Sequence, residues 1–135
     1  MAIKQNKIIK ERFTLSVTSS GETFKDSFEV DKNADKIIGI TISSDRDDIL
    51  YYRGTQAIKI NDEEFFPEGF ESKHLMSGIN VPPNERYFRL GRINPGNRKV
   101  EIIYTDSGID DMVDFTQHKV YLYVFSIRIM EEVES

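Results

Sequence analysis

Residues 118–130, HKVYLYVFSIRIM, decide the fold. Tyr121, Tyr123, Phe125, Ile127 and Ile129 take alternate positions, and Val120, Leu122 and Val124 fill the positions between them for half the stretch. Period-two alternation is the pattern of a β-strand, and a strand apolar on both faces must be covered on both. The five-residue set is expected to point into a core, and the strand to pair with the first strand of the chain. Its apolar run from Val120 to Phe125 is far too short to cross a membrane as a helix.

The same period recurs outward from this stretch. Ile9, Phe13, Leu15 and Val17 share one parity, with Glu11 as the single break, and Phe24, Phe28 and Val30 share another after the turn residues Ser19, Ser20 and Gly21. Ile37, Ile38, Ile40 and Ile42 form a β-branched strand that stops at the polar cluster 43–48. Shorter strands are expected at Leu50–Tyr52 and Ala57–Ile60. Asn61 and Asp62 tolerate positive φ and predict a tight hairpin leading to Phe65 and Phe66. Pro67 and Gly69 should end that element, and Phe70–Met76 reads as a further strand or an irregular crossing. Pro82 and Pro83 bar a central strand, because neither can donate to a ladder. Tyr87–Leu90 and Lys99–Thr105 flank the turn residues Asn94, Pro95, Gly96 and Asn97 and read as a second hairpin.

These windows give eight or nine strands and no amphipathic helix. The expected fold is all-β: a single antiparallel two-sheet sandwich, jelly-roll-like, over residues 8–130, with an N-terminal arm at 1–7 and an acidic tail at 131–135. An immunoglobulin-like sandwich of about seven strands and a small closed barrel are the competing architectures. At 135 residues the chain is the size of one domain and needs no disulfide or metal to fold. It has no Cys and two His, so it offers neither a thiol nucleophile nor a Cys-rich zinc site. The opening MAIKQNKIIK has none of the features of a secretory leader.

Charge is arranged in blocks that the total of −5 conceals. Lys4, Lys7, Lys10 and Arg12 stand against Glu11 alone, and Arg86, Arg89, Arg92, Arg98 and Lys99 against nothing. Residues 59–71 and 101–114 are acidic, the latter through Glu101, Asp106, Asp110, Asp111 and Asp114. Any one such run is ordinarily a solvated surface, but segregated patches of both signs suit contacts between copies of one chain. The expected partner-binding residues are therefore Lys4, Lys7, Arg86, Arg89, Arg92 and Arg98, with Ile79, Val81, Pro82 and Pro83 as apolar contacts. The arm 1–7 should gain its order from a neighbour. Arg86, Tyr87, Phe88 and Arg89 interleave bases and aromatics in the manner of a nucleic-acid surface, but the net negative charge argues against a dedicated binder.

No catalytic, metal or cofactor residue is assigned. Asp45, Asp47 and Asp48, and the acids of 106–114, lack the spacing of a calcium loop. His74 and His118 are expected at the surface or an interface, with no nucleophile elbow or paired-His motif beside them. Tyr51, Tyr52, Phe65 and Phe66 could form a sugar platform, although the alternation around them favours core positions.

Residues 60–90, INDEEFFPEGFESKHLMSGINVPPNERYFRL, lead a short hairpin through Pro and Gly punctuation into an extended crossing and an aromatic strand. With the long first and last strands, this resembles the small β-sandwich proteins that build or decorate bacteriophage particles. The resemblance implies a non-catalytic capsid, capsid-decorating or tail-associated protein, assembled in a host cytoplasm and contacting copies of itself and other assembly proteins. A glycan-binding module and a hydrolase with an unrecognised site are the alternatives.

Overall fold

Alternating apolar residues oblige each strand to bury one face, and the turns between strands let them pair antiparallel. The computed structural model describes residues 2–76, 87–110 and 112–133. Its strands are β1 (Ala2–Val17), β2 (Thr23–Glu29), β3 (Lys36–Ser44), β4 (Gly54–Ile60), β5 (Glu63–Glu71), β6 (Phe88–Ile93), β7 (Lys99–Asp106) and β8 (His118–Val133). A short helix, α1 (Asp47–Arg53), and a 3-10 turn, Ser72–His74, complete the described elements. The pairings β1 with β8, β2 with β7, β3 with β6 and β4 with β5 are those of one long antiparallel ribbon. Rolled up, the ribbon gives, among the described residues, two four-stranded sheets of order β1-β8-β3-β6 and β2-β7-β4-β5, which is jelly-roll connectivity.

Leu15, Val17, Ile37, Ile40, Ile42, Ile58, Ile60, Val100, Ile102, Val120, Leu122 and Val124 interleave between the sheets. The β8 pairing with β1 is as the sequence predicts, but its inward face is the opposite one. Val120, Leu122 and Val124 point into the core, whereas Tyr121 and Tyr123 are half-buried on the outer face and Ile129 is exposed. Compact aliphatic side chains fill most of the intersheet space, with Phe66 and Tyr104 also enclosed. Phe125 and Ile127 are buried as expected, but on the outer face, in register with Lys10 and Ile8.

Other expectations change for equally local reasons. β1 begins at Ala2 and pairs with the chain's own β8 as far as Val133, so the predicted arm and tail form one continuous ladder, with Lys4 opposite Glu131. β5 continues through Pro67 to Glu71, which an edge strand tolerates: Pro67 falls where the register shifts, between the Ile58–Phe66 and Gln56–Phe70 partners. The segments flanking Asn94–Asn97 form no hairpin: β6 lies beside β3, and β7 lies between β2 and β4 in the other sheet. Residues 50–52 belong to α1, which has Asp47 and Asp48 in its first turn, Arg53 in its last, and Ile49, Leu50 and Arg53 buried on one side. The Asn61–Asp62 hairpin is as expected, with φ of 52° and 62°.

Candidate interaction face

The outer face of the β1-β8-β3-β6 sheet is aromatic and basic because register places even residues of β1 beside odd residues of β8. Lys10 lies opposite Phe125, Arg12 opposite Tyr123, and Thr14 opposite Tyr121. The Arg12 guanidinium sits 4.8 Å from the Tyr121 ring centre, and the Lys10 ammonium 5.8 Å from that of Phe125. Tyr87 lies flat across this face, stacked on Phe125 at 4.7 Å. It can do so because residue 39 is glycine: a Cβ there would occupy the space of the Tyr87 ring. Beyond Tyr87 opens a cleft of about 360 Å³, lined by Asn6, Ile38, Tyr87, Arg89, Gly91, Arg92 and Ile127. The other sheet's outer face differs: there Lys25 pairs with Glu101 at 2.8 Å and the Thr23 and Thr105 hydroxyls meet at 3.0 Å.

The predicted partner-binding residues divide accordingly. Arg89 and Arg92 are exposed and share the cleft. Lys7 is exposed on the opposite parity of β1, by a second cleft with Asp31, Asn33 and Arg128. Arg98 is otherwise engaged: its Nη1 donates to the carbonyls of Asp31 and Ala34, each at 2.9 Å, which fastens the turn before β3. Lys4 lies in β1 by its backbone. Ile79, Val81, Pro82, Pro83 and Arg86 fall outside the described residues.

At the far end of the sandwich the sequence concealed a buried clasp. Arg53 Nε and Nη2 donate to the two carboxylate oxygens of Asp106 at 2.9 and 2.8 Å, and both side chains are almost wholly buried. Nη2 also donates to Ser20 Oγ at 2.9 Å, while Nη1 reaches the carbonyls of Ile109 and Val113, each at 3.1 Å, and the carboxylate of Asp110. Burial alone would raise the Asp106 carboxyl, but hydrogen bonds from Arg53 and from the Gly21 and Gly108 amides hold it below the ordinary carboxylate range. Asp106 is thus no part of an acidic surface, contrary to the expectation from residues 101–114. The visible signal was a lone Arg in a helical spacing with Ile49, four residues apart.

The remaining candidates also shift. Tyr51 and Tyr52 are exposed rather than core, with rings edge-to-face at 4.9 Å, and Phe65 and Phe66 pack inward. His74 is exposed, but His118 is buried, 4% accessible, with Nδ1 2.7 Å from the Thr116 carbonyl. Ser16, Asp45 and His118 line one cleft, in which Asp45 accepts the Lys119 amide at 2.8 Å and His118 Nε2 is buried. Among the described residues, no three His, Cys, Asp or Glu side chains are grouped to hold a metal ion. No helix among the described residues is long and apolar enough to cross a membrane. No family model, curated protein or solved structure matches the chain.

Proposed function

We propose that this chain is a non-catalytic structural protein that works by packing against other protein chains, as a capsid, capsid-decorating or tail-associated component of a bacteriophage particle. The observation that carries the reading is the outer face of the β1-β8-β3-β6 sheet: aromatic rings capped by cations, beside an open cleft flanked by Arg89 and Arg92. Aromatic and Arg side chains are enriched at interfaces, where flat rings supply area at low entropic cost and guanidinium groups choose the partner. The particle setting rests on the resemblance of residues 60–90 and on a connectivity that capsid domains also use. The test is the mass of the purified full chain by light scattering, followed by electron microscopy of any particles. Discrete multiples of the 15.7 kDa chain are expected; a monomer at every concentration tried, with no assembly on mixing with candidate particle proteins, removes the reading.

A glycan-binding role is the second reading, favoured by one observation: the exposed Tyr51 and Tyr52 rings on α1. Jelly rolls also serve as lectin domains, and a ring pair can stack a sugar face. Binding on a glycan array that disappears in Tyr52→Ala would support it.

A further inference from the structure

Two surfaces of opposite character lie on different parts of the molecule. At the far end, Tyr51, Tyr52, Ile109 and Met112 are 46, 52, 57 and 70% exposed. Asp45, Asp47, Asp48, Asp110 and Asp114 are exposed among them in sequence, against Arg46, which is paired with Asp48 at 2.9 Å, and Lys119. The two segments that carry this surface are tied together. Arg53 ends α1, and besides gripping Asp110 and the Ile109 and Val113 carbonyls through its side chain, it accepts the Ser107 amide at its own carbonyl. An otherwise exposed loop is thereby held as a fixed apolar and acidic surface. The outer face of the β1-β8-β3-β6 sheet is the reverse: Lys10, Arg12, Arg89 and Arg92 accompany Tyr87, Tyr123 and the exposed Ile8.

We infer that the far end of one copy docks on the outer sheet face of the next, the acids of α1 together with Asp110 and Asp114 meeting the cleft flanked by Arg89 and Arg92. The inference rests on the reading of the chain as an assembly protein and names the partner as a second copy. Complementary charge argues for that occupant: each surface repels its own kind, so a two-fold contact of either with itself is disfavoured. The contact is therefore heterologous, joining two different patches, and it builds a ring or an open filament rather than a closed dimer. Tyr51, Tyr52, Ile109 and Met112 supply the apolar area, while the charges select partner and register.

The test uses two full-length variants, Arg89→Glu/Arg92→Glu, which turns the face acidic, and Asp48→Lys/Asp114→Lys, which turns the end basic. All four positions are exposed, and circular dichroism checks that both variants fold. Sedimentation or light scattering is run on each alone and on an equimolar mixture. Each variant alone is expected to self-associate at least about tenfold more weakly than the wild-type chain, and mixing is expected to restore assembly, because every contact then pairs opposite charges again. Wild-type self-association that both variants retain alone overturns the docking scheme and leaves the assembly reading standing. A mixture that stays unassembled also overturns the scheme. A wild-type chain that is monomeric throughout overturns the scheme, and overturns the assembly reading too when it also fails to assemble with candidate particle proteins; if it then binds a single-stranded oligonucleotide through Arg89 and Arg92, the face belongs to nucleic acid instead.

Discussion

Replacing Arg53 by Ala should be among the most damaging single changes on the described surface or core. The guanidinium holds both oxygens of Asp106, the Ser20 hydroxyl and two loop carbonyls, and its side chain and that of Asp106 are 1 and 0% exposed. Without it Asp106 keeps the Gly21 and Gly108 amides but loses its counter-charge in a site closed to water. Leaving one member of a buried pair uncompensated costs about 3–5 kcal/mol. The sign with pH follows from the carboxyl. In the wild-type chain its titration is depressed, so its stabilisation is present above the unfolded-state value of about 3.9 and is lost as pH falls through the folded value. In Arg53→Ala, burial dominates and the carboxyl takes up a proton more readily than in the unfolded chain. The gap between the two proteins is therefore widest at neutral pH and narrows in acid. Urea unfolding at pH 7 and near pH 4 measures both points. A loss under about 1 kcal/mol at pH 7, or a gap that widens in acid, refutes the reasoning. An Arg53→Met/Asp106→Leu double variant, which removes both charges, should recover much of the loss.

Gly39→Val should displace Tyr87 from its seat, costing about 1–3 kcal/mol by overpacking and changing the near-ultraviolet circular dichroism of the tyrosines; an unchanged spectrum would place Tyr87 elsewhere. A double-mutant cycle between Tyr87→Ala and Phe125→Ala should show a coupling of about 0.5–1.5 kcal/mol in thermal unfolding, as stacked rings at 4.7 Å require, and additive losses would deny the stack. Lys25→Met should cost less than about 1 kcal/mol, because Lys25 is 65% exposed and the charges of Lys99 and Lys59 still act on Glu101 without it, and 1 M salt should reduce that difference further.

The two-sheet sandwich class was legible because period-two patterns and turn residues are local, whereas strand order, which long-range pairing decides, was not. Asn61 and Asp62 announce their own positive φ, and Ile37 to Ile42 need no distant information to read as a strand. Which face of β8 points inward was not legible, since both faces are apolar and the decision lies with β1 and β3 on either side. The supposed hairpin at Asn94–Asn97 failed for a related reason. A turn sequence says that the chain reverses, not that the reversed strands bond, and here Asn97 donates its backbone amide to Asn61 Oδ1 across to the β4–β5 turn. The helix α1 escaped notice because seven residues carry too little periodicity to compete with the strand reading of Leu50–Tyr52.

Charge shows most plainly how a linear reading becomes a surface. The run 101–114 looked uniformly acidic, yet Glu101 meets Lys25 and Asp106 is enclosed by Arg53, while Arg98 is withdrawn from the basic run to bind carbonyls. What remains after these internal partnerships is smaller than the blocks suggested but better placed. Asp110 and Asp114 stay at the far end with α1, and Arg89 and Arg92 stay beside Tyr87 on the sheet face. Because Arg53 both neutralises Asp106 and bonds Ser107, Ile109, Asp110 and Val113, the residue that removes charge from the acidic run also holds the segment that carries the remaining acids. If the proposed docking holds, fold stability and partner choice are coupled through one side chain. An Arg53→Met/Asp106→Leu chain that regains its stability should still assemble poorly, because its carbonyls at 109 and 113 no longer have the donor that holds the loop.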